Sequence, residues 1–202
     1  VLAPTSSQSE QFLINLSGFT FSDATYNSPK TGGILRQAFM HMIPKARAND
    51  FASLTQVITR SDSFVYSSAS KNYSAVAGSN GSANYLLQDV EKASELVASA
   101  KLSFVPTVKV LFDTDDPAAV AEWTLLSDHA SSAGFRLMNI SSDEPAFRYN
   151  NNAYDVYIGK QPLMGVGYGS LQQLVTGPNR MPLEQFQSLT ADVLAADSKT
   201  LD

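Results

Sequence analysis

The sequence predicts an α/β protein with a mixed, mostly parallel sheet flanked by helices. Three observations predict it. Within residues 104 to 140 a strand, a helix and a second strand follow in order. A third core strand, "YDVYIG", stands at residues 154 to 159. Apolar residues at helical spacing fill several further stretches. Strands alternating with helices pack as βαβ units, in which the two strands run parallel.

Each element has its own reason. "FLINLS", residues 12 to 17, sets Phe12, Ile14 and Leu16 against Leu13, Asn15 and Ser17, the alternation of a strand with one apolar face. "GFTFSDATYNSPKTGG" follows, long for a plain loop and rich in turn residues. Residues 33 to 43 then place Ile34, Leu35, Ala38, Phe39, Met42 and Ile43 on one helical stripe, with Arg36, Gln37 and His41 off it. Pro44 ends that helix, because it lacks an N–H and disfavours helical geometry in Ile43. Residues 47 to 59 resume the pattern beyond the elbow. Residues 61 to 84 are mostly Ser, Asn, Gly, Ala and Tyr, an irregular excursion.

A helix is expected over residues 86 to 100, with Leu86, Val90, Ala93, Val97 and Ala100 on one side. "VPTVKVLF" reads as a strand with Val108, Val110 and Phe112 on one face. Asp116 is placed to cap the next helix and Pro117 to open it. Val120, Trp123, Leu126 and Ala130 form the inward stripe, so Trp123 is expected to be well buried. Gly134 stops the helix where a left-handed residue is needed, and "FRLMNI" is the next strand. In "YDVYIG", Tyr154, Val156 and Ile158 oppose Asp155 and Tyr157. A Gly-rich "LMGVGYGS" follows, then a short "LQQLV" helix and a last helix over residues 183 to 196.

Composition narrows the function. The chain has 202 residues, and its net charge of -5 comes from 14 basic and 19 acidic groups. An acidic surface with scattered Lys and Arg argues against nucleic acid as a partner. The absence of Cys removes disulfides, thiolate nucleophiles and Cys-ligated zinc from these residues. No apolar run reaches the roughly 18 residues of a membrane span. The opening "VLAPTSSQSEQ" reads as an internal cut or a linker. Asn15, Asn72, Asn80 and Asn139 begin N-x-S/T triplets, a weak glycosylation signal in a chain so rich in Asn and Ser.

Little catalytic chemistry survives inspection. His41 and His129, the only histidines, fall on different helices without metal-ligand spacing. The cluster Asp113 to Asp116 offers hard oxygen ligands for calcium or magnesium, and an α/β hydrolase-class or other metal-dependent enzyme would use it. The plainer reading is a helix cap and a solvated βα turn. Gly165, Gly167 and Gly169 are each two apart, which matches neither a dinucleotide fingerprint nor a triphosphate loop. No Gly-x-Ser-x-Gly elbow occurs. No catalytic residue, metal or cofactor is therefore assigned. A surface interaction module is the other alternative.

The order of segments carries a resemblance. "TGGILRQAFMHMIPKARAND", "YLLQDVEKASELVASA", "VKVLFDTDDPAAVAEWTLLSDHASSAGFRLMNISS" and "YDVYIG" together resemble the extracytoplasmic solute-binding proteins of oligopeptide and dipeptide ABC importers, in their actinobacterial branch. The matching residues are Arg36, Gln37, Ala38 and Phe39; Asp89, Lys92 and Ala93; Ala133, Gly134 and Phe135; and Tyr154 with Asp155, within residues 11 to 175. The resemblance implies a periplasmic-binding-protein-like lobe over residues 1 to 202, the C-terminal lobe of a larger two-lobed protein. It makes the helix at residues 33 to 43 a scaffold element. It implies a non-enzymatic role: capture of a peptide or similar small solute between lobes, and delivery to a membrane permease. The missing N-terminal lobe and a lipid anchor on the cell surface would lie outside these residues.

One departure bears on the solute. Peptide-binding members often carry an acid after the "Y-D" strand, and none stands here between Asp155 and Glu184. The ligand is then neutral or is anchored elsewhere. Ligands of open α/β sheets gather beyond the carboxyl ends of parallel strands. That rule selects Gln161, Met164, Gly165 and Tyr168, with Tyr26 and Asn27 expected to approach the same cleft from the other side.

Overall fold

The computed structural model describes residues 8–15, 18–28, 30–44, 74, 78, 81–85, 87–142 and 144–162. The expected helices over 47 to 59 and 183 to 196, and the "LQQLV" segment, lie outside the described residues. Among the described residues the strands and α-helices follow in the order β1 (Gln8–Ile14), α1 (Thr31–Met42), α2 (Val90–Ser99), β2 (Thr107–Phe112), α3 (Pro117–Ala130), β3 (Arg136–Asn139), α4 (Pro145–Asn150) and β4 (Val156–Pro162). The strands form one sheet in the order β1-β4-β2-β3. β2 runs parallel to both β3 and β4, while β1 is antiparallel to β4. The sheet is mixed and mostly parallel, as the βαβ pattern requires. Among the described residues no helix is long and apolar enough to cross a membrane.

One face of the sheet holds the main core. Val108, Val110 and Phe112 of β2 and Val156 and Ile158 of β4 meet Leu35, Ala38 and Phe39 of α1, Ala93 of α2, and Ala119, Leu126 and Ala130 of α3. The Phe39 ring sits edge-on to Phe21 at 5.4 Å and to Phe135 at 5.9 Å. Leu111, Ile140 and Tyr154 form a smaller cluster on the opposite face, joined by Tyr149 and Tyr157.

Helix ends follow their caps. Asp116 accepts from the Ala118 N–H at 3.0 Å, with Pro117 at the first turn, as expected. Gly134 has φ +85, the left-handed conformation that ends α3 at low cost. The segment before α2 departs from the expected helix. Asp89, accepting from the Lys92 N–H at 2.8 Å, caps α2 at residue 90, and Leu87 is left 79% exposed. Periodicity alone had extended the helix back to residue 86; the cap overrides it.

Other corrections have physical causes. β1 begins at residue 8 and ends at Ile14, because Asn15 turns its groups onto the β4 side of the sheet. α1 begins at Thr31, two residues before the expected start. On α3 the inward stripe runs through Ala119, Leu126 and Ala130, and Val120 is exposed. Trp123 is only half-buried, stacked on Phe112 at 5.4 Å. β4 starts at Val156, so Tyr154 precedes the strand and joins the opposite face instead of the main core. α4, opened by Pro145, was not anticipated.

Candidate functional site

The sheet has two functionally different ends. At the amino end of β2 and β4 the chain ties a polar knot around Asp155, which is 1% exposed. Its Oδ1 accepts from the Thr20 N–H at 3.0 Å, and its Oδ2 from the Lys109 N–H at 2.8 Å. The Thr20 hydroxyl donates to the Thr107 carbonyl at 2.5 Å and lies 3.2 Å from Asp155 Oδ2. Backbone donors let a buried carboxylate remain satisfied without a counter-charge. Gly18 allows the approach, since a Cβ there would stand 2.6 Å from Asp155 Oδ1.

Asn15 completes the knot. Its side-chain amide donates to the carbonyls of Asn152 at 3.0 Å and Tyr154 at 2.7 Å, and its backbone N–H to Asp155 at 2.8 Å. A fully buried, hydrogen-bonded Asn15 is not a glycan acceptor in the folded state, and Asn139 uses its side chain to accept from the Ser141 N–H. Strand alternation had put Asn15 and Asp155 on the polar faces of their strands. Their signal was a lone carboxylate and a lone amide, each beside the apolar positions of a core strand.

Tyr26 and Asn27 belong to this end. The Tyr26 hydroxyl donates to the Thr20 carbonyl at 2.9 Å, and its ring stacks on Phe104 at 6.4 Å. Burial, with Asp155 nearby, raises the pKa of its phenol. Asn27, in the left-handed region at φ 48, ends the short 3₁₀ turn that carries Tyr26. The Arg36 guanidinium donates to the Phe21 carbonyl, which joins this loop to α1.

The carboxyl end is built differently. Phe112, the last residue of β2, pairs with Ile158. β4 continues to Pro162, paired among the described residues with β1 alone, with Gly159 opposite Gln11, Lys160 opposite Glu10 and Gln161 opposite Ser9. A two-stranded ribbon therefore runs past the end of β2 by four residues, about 13 Å at strand rise. Beside its root, Asp113 organises the βα turn: its carboxylate accepts from the Asp115 N–H at 3.0 Å and its carbonyl from the Asp116 N–H at 3.2 Å. The buried Ser141 hydroxyl accepts from the Phe112 N–H at 2.9 Å.

The aromatic cluster lies on the sheet face opposite the main core. Tyr149 lies 4.8 Å from Tyr157 and 6.1 Å from Tyr154. Burial, with Tyr149 and Tyr157 beside it, pushes the Tyr154 phenol well above the usual tyrosine range and keeps it protonated.

The sequence-predicted site residues are thus divided. Gln161 sits on the projecting ribbon, while Tyr26 and Asn27 stand at the opposite end of the parallel strands and do not approach it. Met164, Gly165 and Tyr168 lie outside the described residues. The Asp113–Asp116 cluster is a helix cap and a turn, and among the described residues no group of three or more His, Asp or Glu is placed to hold a metal ion.

A groove away from both ends of the sheet was not anticipated. His41, Ala83, Asn84, Leu87, Gln88 and Asp89 line an open groove of about 570 Å³ where α1 ends and α2 begins. The Gln88 amide donates to the Met42 carbonyl and the Asp89 N–H to the His41 carbonyl, closing carbonyls that the end of α1 leaves open. The His41 ring packs on Tyr85 at 4.7 Å.

Known structures share this architecture. The periplasmic binding protein MelB from Agrobacterium fabrum, solved in complex with stachyose, superposes with a TM-score of 0.52 at 13% identity, over 77% of this chain and 26% of its own. The ABC transporter substrate binding protein CtaP from Listeria monocytogenes gives 0.53 at 14% identity, over 86% and 34%. NikA from Brucella suis, in complex with Fe(III)-EDTA, gives 0.55 at 12% identity, over 86% and 34%. The likeness is one of fold: the chain has a periplasmic-binding-protein-like α/β architecture, and it spans about a quarter to a third of the length of these structures. No protein-family model and no curated protein matches the sequence.

Proposed function

We propose that the chain is the C-terminal lobe of a two-lobed, extracytoplasmic solute-binding protein serving an ABC importer. In this reading it captures an oligopeptide or similar small solute and converts nothing. The carrying observation is the fold shared with proteins whose named roles are periplasmic and substrate binding. The ribbon supports the reading. It projects at the carboxyl end of the parallel strands, where open α/β sheets bind ligands. The start of β1 lies at that same end, so a preceding lobe joined there would face the site.

The partners follow from the role: a membrane permease, the N-terminal lobe of the same protein and a lipid anchor on the cell surface. Gln161, Met164, Gly165 and Tyr168 are the proposed contacts, with Gln161 donating and accepting through its amide and Tyr168 offering a ring face. The lack of an acid between Asp155 and Glu184 favours a ligand without a free amino terminus at that place. Tyr26 and Asn27 support the scaffold.

Replacing Gln161 and Tyr168 together by Ala in the whole protein is expected to weaken solute binding by about tenfold or more, about 1.4 kcal/mol. The melting temperature should hardly move. Calorimetry against a mixed library of oligopeptides and oligosaccharides reads this out. Unchanged affinity, or loss only through unfolding, would remove the ribbon from the site.

A further inference from the structure

The amino end of the sheet carries an apolar tip that nothing in the solute-binding reading uses. Phe19 is 66% exposed, and Phe104 and Val105 are each 53% exposed. They stand on two loops that are held together. Thr20, next to Phe19, bonds the Thr107 carbonyl through its hydroxyl, and Tyr26 bonds the Thr20 carbonyl while stacking on Phe104. Large apolar side chains fixed in water on a rigid base mark a surface that meets something apolar.

Charge identifies the occupant. The chain as a whole is acidic, at -5. Around this tip, however, stand exposed cations. Lys101 lies three residues before Phe104, Arg136 pairs in register with Thr107, and Lys109 is two residues further along β2. None of the three forms an ion pair among the described residues. The acid nearest in the loop, Asp23, turns its carboxylate to the Gly33 N–H. Protein interfaces are depleted in Lys, whereas aromatic anchors ringed by Lys and Arg suit the headgroup layer of an anionic bilayer.

We propose that Phe19, Phe104 and Val105, with Lys101, Arg136 and Lys109, form a surface that rests on anionic lipid. The rings enter the headgroup boundary and the cations pair with lipid phosphates. Such attraction acts within a Debye length, so local cations prevail over a distant net charge of the same sign as the lipid. The surface lies at the opposite end of the parallel strands from the projecting ribbon, and it stands independently of the solute-binding reading.

Vesicle co-sedimentation of the full chain tests this, with mixed phosphatidylglycerol and phosphatidylcholine vesicles against pure phosphatidylcholine. Binding is expected to the anionic vesicles, weaker by about tenfold or more on neutral ones and falling with added salt. Phe19→Ser with Phe104→Ser should lower it at least as much, and Lys101→Glu with Arg136→Glu should abolish it, with the melting temperature unchanged in each. Should the Phe variant fold poorly, Val105→Ser and the charge reversals still decide the matter. Absence of binding to anionic vesicles, or binding indifferent to these substitutions, overturns the proposal. So does a concentration-dependent dimer that Phe104→Ser dissolves, since the tip would then serve a second copy of the chain.

Discussion

Phe39→Ala is expected to destabilise the protein by about 3–5 kcal/mol. Phe39 is fully buried on α1 and touches two other rings, Phe21 from the loop after β1 and Phe135 at the entrance to β3. Truncation removes the apolar transfer energy and leaves a cavity whose walls belong to three different segments. Those walls cannot all close in without moving α1 off the sheet. Natural domains hold only about 5–15 kcal/mol in total, so the urea midpoint should fall steeply while the slope of the transition stays the same. A loss below about 1 kcal/mol would mean that the three segments do not meet there as described.

Asp155→Ala is expected to cost a similar amount by a different mechanism. Nothing large is removed from the core, but the Thr20 and Lys109 N–H groups lose their acceptor. Each stranded buried donor costs about 1–3 kcal/mol, so the sum is roughly 3–5 kcal/mol. Asp155→Asn keeps one oxygen to accept and should cost less. Because the knot lies away from the ribbon, solute affinity of the folded fraction should not change. If Asp155→Ala unfolds at the wild-type midpoint, the carboxylate is not what joins the loop after β1 to β2 and β4.

The layered fold was legible because its signals are local and repeat. The stripe Leu35, Ala38, Phe39 and Met42, the Asp116–Pro117 cap, and the stop at Gly134 each follow from a few neighbouring residues. Strand order and the antiparallel partner of β1 were not, because residues 14 and 156 meet only through tertiary packing. Asp155 shows the general reason for the misses. Its acidity and its position beside Tyr154 point outward by alternation, yet two backbone N–H donors from distant segments make burial tolerable. Tyr26 was read toward the cleft for its chemistry, which is equally that of a loop anchor. Gln161 was expected in the segment beyond a strand ending at residue 159; it lies within β4 instead, because β1 reaches back to Gln8 and carries the pairing on to Pro162.

Hydrogen exchange of the whole protein, with and without the mixed library of oligopeptides and oligosaccharides, tests the central claim most directly. The account predicts added protection at the carboxyl end, in the turn at Asp113–Asp116 and from Gly159 onward through the Gly-rich segment. Tyr26, Asn27 and Phe104, at the amino end, should exchange as before. Protection centred on the amino end, or no solute-dependent protection near the ribbon, would contradict it.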